Sequence, residues 1–235
     1  MGTVVCIPTY NEAEVLPAIV AAVRDAVPQA HLLIVDDASP DGTGAIADRL
    51  ATRDSRVAVL HRTAREGLGA AYRHAFQVAI QAGYLQIVQM GADFSHAPAD
   101  VPRLLAALRD GADLAVGSRY TPGGGTSGWG AGRRWISSFG CRYAAAVLNS
   151  PVNDLTAGFK AWRAPMLQRV LRHEGATRGY AFQIEMTWRA ATLGARVVEV
   201  PICFEERRAG VSKMSVGIAM EAAVAVWRLR LGGVG

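Results

Sequence analysis

The chain has 235 residues, 51% of them hydrophobic and 19% charged, with a formal net charge of +5 at pH 7. That is enough apolar material for one good-sized core, and the basic balance suits an acidic partner: a phosphate-bearing ligand, an anionic membrane or a nucleic acid. Cys6, Cys141 and Cys203 are too few and too scattered for a disulfide framework or a zinc site, which points to a reducing, cytosolic setting. No basic leader with a long apolar core opens the chain, and charges interrupt each apolar run well short of a membrane span.

Strand and helix signals alternate from the start. A β-rich run at 3–8 precedes helical periodicity at 13–26; a strand at 32–35 precedes a helix at 44–52. Strands at 57–60, 85–90 and 114–116 alternate with helices at 69–81 and 99–108. Short connections between such units predict an α/β fold with a mainly parallel, Rossmann-like sheet flanked by helices. The alternation then breaks at 120–133, which is rich in glycine and reads as a mobile loop. Helices follow at 134–148 and 182–192, with an edge strand at 197–204. The last segment, 215–231, has helical spacing with Val216, Met220, Val224, Trp227 and Leu231 near one face and Arg228 and Arg230 toward its end. Such a helix suits either the bilayer interface or the protein's own core.

The chemistry gathers at the predicted strand ends. The second strand runs into Asp36-Asp37 and the turn Ser39-Pro40-Asp41-Gly42. Adjacent like charges need a cation or hydrogen-bond donors to meet them, and the carboxyl ends of strands are where open α/β sheets bind ligands. The ordinary alternative is a solvated turn that caps the next helix. The first strand ends in Pro8-Thr9-Tyr10-Asn11-Glu12, where Tyr10 can flank a base and Glu12 can accept from a base or sugar. The fourth ends in Gly91-Ala92-Asp93-Phe94-Ser95-His96, which brings Asp93 toward Asp37; oxygen ligands converging there suit Mg²⁺ or Mn²⁺ on a diphosphate. His96 reads as an ordinary loop histidine. Arg119, after the fifth strand, suits a phosphate, with an ion pair as its alternative, and Arg207, Arg208 and Lys213 form a cationic segment for a second phosphate.

Taken in order, these motifs resemble the inverting family-2 glycosyltransferases of the GT-A type, and within them the polyprenol-phosphate (dolichol-phosphate) mannose synthases. The resemblance also rests on Gly67-Leu68-Gly69, Gly117-Ser118-Arg119-Tyr120, Asp154-Leu155-Thr156-Ala157-Gly158-Phe159-Lys160, Gly179-Tyr180-Ala181-Phe182-Gln183-Ile184-Glu185 and Gly210-Val211-Ser212-Lys213. It implies a catalytic domain at 1–213 and a C-terminal amphipathic helix or tail at 214–235. It also implies that Pro8, Tyr10, Glu12, Val35, Asp37 and Ala92 bind the nucleotide of GDP-mannose, and that Asp93 holds Mg²⁺ or Mn²⁺ on its diphosphate. Arg119, Arg133, Arg207, Ser212 and Lys213 would gather around the phosphates of donor and acceptor, with Arg134 as good a candidate as Arg133. Asp154 would lie near the sugar or acceptor, so that Asp93, Arg119, Asp154 and Lys213 form the catalytic set.

The implied reaction moves mannose to a polyprenyl phosphate with inversion. It takes place at the cytoplasmic face of a membrane, by peripheral attachment or through a membrane-protein anchor. One position departs from the pattern: the family's Asp-Ala-Asp is Gly91-Ala92-Asp93 here, one carboxylate fewer. Two other readings remain open, a UDP-glucose-dependent transfer on the same scaffold and a nucleotide-sugar-binding protein whose turnover is impaired at Gly91. No G-x-G-x-x-G follows the first strand, which argues against a dinucleotide oxidoreductase, and no recognition motif supports nucleic-acid binding.

Overall fold

A computed structural model describes residues 2–173, 181–206 and 216–232, with side chains of the last helix described from residue 224. Strands β1 (Thr3–Thr9), β2 (His31–Asp36), β3 (Val57–His61) and β4 (Gln86–Gln89) alternate with helices α1 (Leu16–Ala26), α2 (Thr43–Arg53) and α3 (Leu68–Gln81). Helix α4 (Val101–Arg109), strand β5 (Leu114–Ser118), the two-residue strand β6 (Gly125–Thr126) and helix α5 (Ala131–Leu148) follow. The chain continues through β7 (Lys160–Arg163), α6 (Ala164–Arg172), α7 (Ala181–Thr192), β8 (Val197–Pro201), β9 (Cys203–Phe204) and α8 (Val216–Gly232).

Seven strands form one sheet in the order β3-β2-β1-β4-β7-β5-β8, and β6 pairs with β9 apart from it. The sheet is buried on both sides, and the two-residue period of a strand sorts its side chains between them. Val5, Ile7, Leu32 and Ile34 face a layer containing Leu16, Ile19, Leu104 and Leu108 of α1 and α4. Val4, Cys6, Leu33 and Val35 face Tyr72, Phe76, Leu167 and Phe182 of α3, α6 and α7. A smaller cluster joins Ala144 and Leu148 of α5, Ile184 and Trp188 of α7, and Val226 and Leu229 of α8.

Five differences from the sequence reading have physical causes. Pro17 lies in the first turn of α1, where its fixed φ and missing N–H are tolerated, and the helix starts at Leu16 rather than at 13. β7 runs antiparallel between β4 and β5, so the otherwise parallel sheet is mixed at its centre. The 120–133 segment is folded rather than a free loop: Gly125 and Thr126 pair with Cys203 and Phe204, and the last three of its residues are the first turn of α5. The expected edge strand at 197–204 is divided at Ile202, so that β8 stays on the main sheet while β9 leaves it. α8 is apolar on two sides, burying Val226 and Leu229 while Val224, Trp227 and Leu231 stay exposed.

Candidate active site

The parallel register delivers the polar turns to one edge. Thr9 lies opposite Asp36, and Cys6 lies opposite Gln89, so β1, β2 and β4 end side by side. Asn11, Ala38 and Phe94, just beyond these ends, all take φ near +58°. That left-handed conformation is unfavourable for residues with a Cβ, and three such residues along one edge mark backbone held in place by its surroundings.

The paired carboxylates after β2 are met by the protein itself. Asp36 accepts from Ser39 Oγ at 2.6 Å and Thr9 Oγ1 at 3.2 Å. Asp37 is ion-paired with Arg62, both side chains being buried, and accepts from the backbone N–H of Gly67 at 3.0 Å and of Glu66 at 3.4 Å. It thereby pins the loop that carries Arg65, whose guanidinium lies 4.0 Å from the centre of the Tyr10 ring. Asp41 accepts from Thr43 Oγ1 at 2.6 Å and from the backbone N–H of Thr43 and Ala13, tying the first two turns together. These hydrogen bonds hold its carboxyl below the usual carboxylate value against the opposing effect of burial. Pro8 is half-buried in β1, and Glu12 donates its backbone N–H to Thr43 Oγ1 at 3.0 Å. Val35 and Ala92 have side chains inside the two apolar layers, so only their backbone reaches this edge.

After β4, the Tyr72 hydroxyl donates to Met90 O at 3.0 Å and fixes the exit of the strand. Asp93, half-buried, accepts from Ser95 N–H at 3.1 Å, and the buried Ser95 hydroxyl has no hydrogen-bond partner among the described residues. Gly91 N–H donates to His96 Nδ1 at 3.1 Å, and the imidazole stacks on Phe159 with ring centres 5.0 Å apart. A Cβ at Gly91 would stand 3.3 Å from Asp93 Oδ1, so the missing carboxylate belongs directly beside the one present. Among the described residues no group of three or more His, Cys, Asp and Glu is placed to hold a metal ion.

Arg119 and Asp154 form one unit. Nε donates to Oδ2 at 2.8 Å and Nη2 to Oδ1 at 2.7 Å, the Arg119 backbone N–H adds a bond at 3.0 Å, and Nη2 also reaches Thr156 Oγ1 at 2.6 Å. Glu199 holds the other side of the Asp154 turn, accepting from its backbone N–H at 3.0 Å. Burial alone would lift the Asp154 carboxyl; the Arg119 charge and hydrogen bonds outweigh it and hold the group below the usual carboxylate value. Burial likewise works against the Arg119 charge, and Asp154 reverses that effect. Three of the five guanidinium N–H groups are used, and the two on Nη1 have no hydrogen-bond partner among the described residues.

The short β9 strand brings the acidic turn and the ion pair together. Glu205 N–H donates to Ser95 O at 3.2 Å, and the Phe204 ring lies edge-on to His96 and 5.5 Å from the Arg119 guanidinium. Tyr120 and Trp129 complete an aromatic surround for Arg119 at 5.0 and 5.7 Å. Arg133 stacks over Trp129 at 4.1 Å and bonds Glu206 at 2.9 Å, while Arg134 bonds Trp129 O at 2.9 Å. Arg207, Ser212 and Lys213 lie outside the described residues. Sequence reading missed Arg62, Arg65, Ser95, Trp129, Glu199 and Phe204; only Ser95 sat inside a motif that drew attention.

Residues 4–171 match Glycosyl transferase family 2. The chain belongs to that family. It is 50% identical over 231 residues to the polyprenol monophosphomannose synthase of Mycolicibacterium smegmatis, covering 97% of this chain and 87% of that protein. It is 49% identical over 228 residues to the undecaprenyl-phosphate mannosyltransferase of Micrococcus luteus, covering 97% and 93%. Solved structures share the GT-A type fold at lower identity. Glucosyl-3-phosphoglycerate synthase from Mycobacterium tuberculosis, with Mn²⁺, UDP and phosphoglyceric acid, superposes with a TM-score of 0.69 at 18% identity over 98% of this chain and 78% of that one. A mannosyltransferase from Pyrobaculum calidifontis in complex with GDP-Man and Mn²⁺ gives 0.60 at 16% identity over 97% and 60%.

Proposed function

We propose that this family-2 glycosyltransferase moves mannose from GDP-mannose to a polyprenyl monophosphate with inversion, giving a polyprenyl β-mannosyl phosphate and GDP. The observation that carries the reading is half-identity, over nearly the whole chain, to two proteins named for mannose transfer to polyprenol and undecaprenyl phosphate. The geometry agrees with it. An acidic turn at Asp93 and a fixed guanidinium at Arg119 are joined through one aromatic residue, as a reaction between two phosphate-bearing substrates needs.

A phosphate acceptor is already an anion at neutral pH, so the chain supplies alignment and charge neutralisation rather than a general base. Tyr10, with Arg65 against its ring, and the Glu12 and Asp37 turns form the side for the nucleoside. Arg119 Nη1 and Arg133 offer cationic donors for phosphate oxygens, and Asp154 holds Arg119 in one orientation. Asp93 and the Ser95 hydroxyl, which has no hydrogen-bond partner among the described residues, would be the oxygen donors that hold Mg²⁺ or Mn²⁺ together with substrate oxygens and water. When bound, such an ion neutralises charge on the departing diphosphate. Because the acceptor is a lipid, the reaction takes place at a membrane surface, on the cytoplasmic side where the three reduced cysteines fit. Among the described residues no helix is long and apolar enough to cross a membrane.

The test is transfer of labelled mannose from GDP-mannose to a polyprenyl phosphate, with and without Mn²⁺ or Mg²⁺, counted in the organic phase. Metal-dependent lipid product is the expected result. Product from UDP-glucose and none from GDP-mannose would reassign the donor, and donor binding with no product would make the chain a nucleotide-sugar binder limited at Gly91.

A further inference from the structure

Lys160 is fully buried at the start of β7, and no step of the proposed reaction uses it. Burial works against its charge and Asp154 favours it, so the lysine costs stability where an apolar residue would not. Local rules broken inside a core are expected beside functional sites.

The ammonium dictates how its neighbour Gln183, 2% exposed on α7, is turned. Nζ can only donate, and it donates to Gln183 O at 3.0 Å and Gln183 Oε1 at 2.9 Å; Gln89 Nε2 donates to the same Oε1 at 2.6 Å. With Oε1 facing the ammonium, Gln183 Nε2 faces away and has no hydrogen-bond partner among the described residues, and neither has Gln89 Oε1. Turning both amides over would pair Gln183 Nε2 with Gln89 Oε1, but it would also set an N–H against the ammonium. The charge on Lys160 therefore selects the arrangement that keeps an N–H of Gln183 unpaired.

That donor borders a gap at Gly158. A Cβ there would lie 3.9 Å from Gln183 Nε2, 3.4 Å from His96 Cε1 and 3.8 Å from His96 Nε2. Gly158 is partly exposed between the buried Ala157 and Phe159, so the gap is open to a ligand. His96 Nδ1 accepts from Gly91 N–H, which puts the proton of a neutral ring on Nε2, so two N–H groups point to one place. His96 also links the gap to the acidic turn through Gly91 and, through Phe204, to Arg119. A sugar passing between the two phosphate sites brings hydroxyl oxygens there.

We infer that Lys160 is a positioning residue for sugar recognition: its ammonium holds the Gln183 amide oxygen inward, so that Gln183 Nε2, with His96 Nε2, donates beside Gly158 to a hydroxyl of the transferred sugar. This rests on the proposed nucleotide-sugar donor and names the side chains that read its sugar.

The experiment is calorimetric titration of the full chain with GDP, GDP-mannose and UDP-glucose in Mn²⁺, together with thermal unfolding. The wild type binds GDP-mannose more tightly than GDP, and the ratio measures the sugar contacts. Gly158 has no positive φ and a Cβ there makes ordinary contacts, so Gly158→Ala folds and fills the gap. It lowers the ratio by about three- to tenfold and leaves GDP affinity unchanged. Gln183→Met does the same by removing the donor. Lys160→Met lowers the ratio while raising the melting temperature, a combination that a role in folding alone does not give. The wild-type ratio in any of these variants would overturn the inference, as would a wild type that binds GDP and GDP-mannose alike. A wild type that binds UDP-glucose and not GDP-mannose overturns the donor reading alone if Gly158→Ala weakens UDP-glucose, and both if it does not. Binding of none of the three overturns both.

Discussion

Two buried arginine–aspartate pairs sit at opposite parts of the same strand edge, Asp37 with Arg62 beside β2 and β3, and Asp154 with Arg119 beside β5. The first involves one partner segment: besides Arg62, the Asp37 carboxylate accepts N–H groups from Glu66 and Gly67 of the loop that carries its partner. The second joins residues 35 apart through a two-bonded fork, with a third long-range contact from Glu199 holding the Asp154 backbone. One pair shapes a turn beyond β2 and β3. The other braces separate segments beyond β5, and the dependence on its arginine should differ accordingly.

The largest expected effect comes from removing each arginine in turn. Arg119→Met leaves the fully buried Asp154 without its ion-pair partner, a change that costs about 3–5 kcal/mol. Arg62→Met leaves Asp37 with two backbone donors and is expected to cost clearly less in thermal or urea unfolding. The pH dependence separates them further. Wild-type Asp154 sits below its unfolded value, so its contribution is present at neutral pH and is lost as pH falls through the folded value. In Arg119→Met the chief opposition to burial is gone while the residue-119 backbone N–H and Thr156 Oγ1 still bond the carboxyl, so the group moves up relative to the wild type and the variant loses less stability than the wild type as pH falls from 7 toward 5. Equal costs and parallel pH curves for the two variants would erase the distinction between the pairs.

Gly91→Asp sharpens the comparison from between the two pairs. Gly91 is not among the residues with positive φ, and a Cβ there meets Asp93 Oδ1 at 3.3 Å and His96 Nδ1 at 3.5 Å, so the new side chain needs only small adjustments. It adds a carboxylate beside Asp93, repulsive in the absence of a divalent ion and favourable in its presence. Mn²⁺ titration should show tighter binding, and turnover should rise by up to about 10²-fold if the missing contact limits the present enzyme. Unchanged Mn²⁺ affinity would mean that Asp93, Ser95 and the diphosphate already complete the site.

The same contrast explains what the sequence showed. The β1 to β4 half was readable because its strands are apolar runs closed by turn residues. Asp37 stood out on its own; Arg62 did not, because nothing local links an arginine 25 residues away to that carboxylate. Beyond β5, Arg119 and Asp154 were both visible and were given separate roles, since their pairing depends on how β5 and the 153–159 segment meet. The glycine-rich stretch looked loose, yet a Cβ at Gly124 would stand 2.5 Å from Ser118 O, so glycine there permits a tight crossing rather than motion. α8 had a legible outer face, but its inner face depends on packing against α5 and α7 that spacing alone does not reveal.

β7 is the clearest miss, and its first residue supplies the smallest test. Lys160 opens a four-residue strand at the centre of the sheet, fully buried, where a lysine argues against a core strand. Its ammonium donates to Gln183 O at 3.0 Å and Gln183 Oε1 at 2.9 Å, and Gln89 donates to that same Oε1 at 2.6 Å. Burial pushes the ammonium down to about 7, against a pull from Asp154 that favours the charge. An unfolded lysine titrates near 10.4, so between about 7 and 10.4 the unfolded chain binds more protons and wild-type stability rises with pH. Below 7 the penalty is complete. Lys160→Met removes it, and each kcal/mol recovered raises the melting midpoint by about 2–4 °C. The gain should therefore be greatest below pH 7 and fade toward pH 10. A difference that stayed flat across that range would mean the ammonium keeps its proton throughout, with the two Gln183 oxygens and the distant Asp154 charge sufficient to hold it.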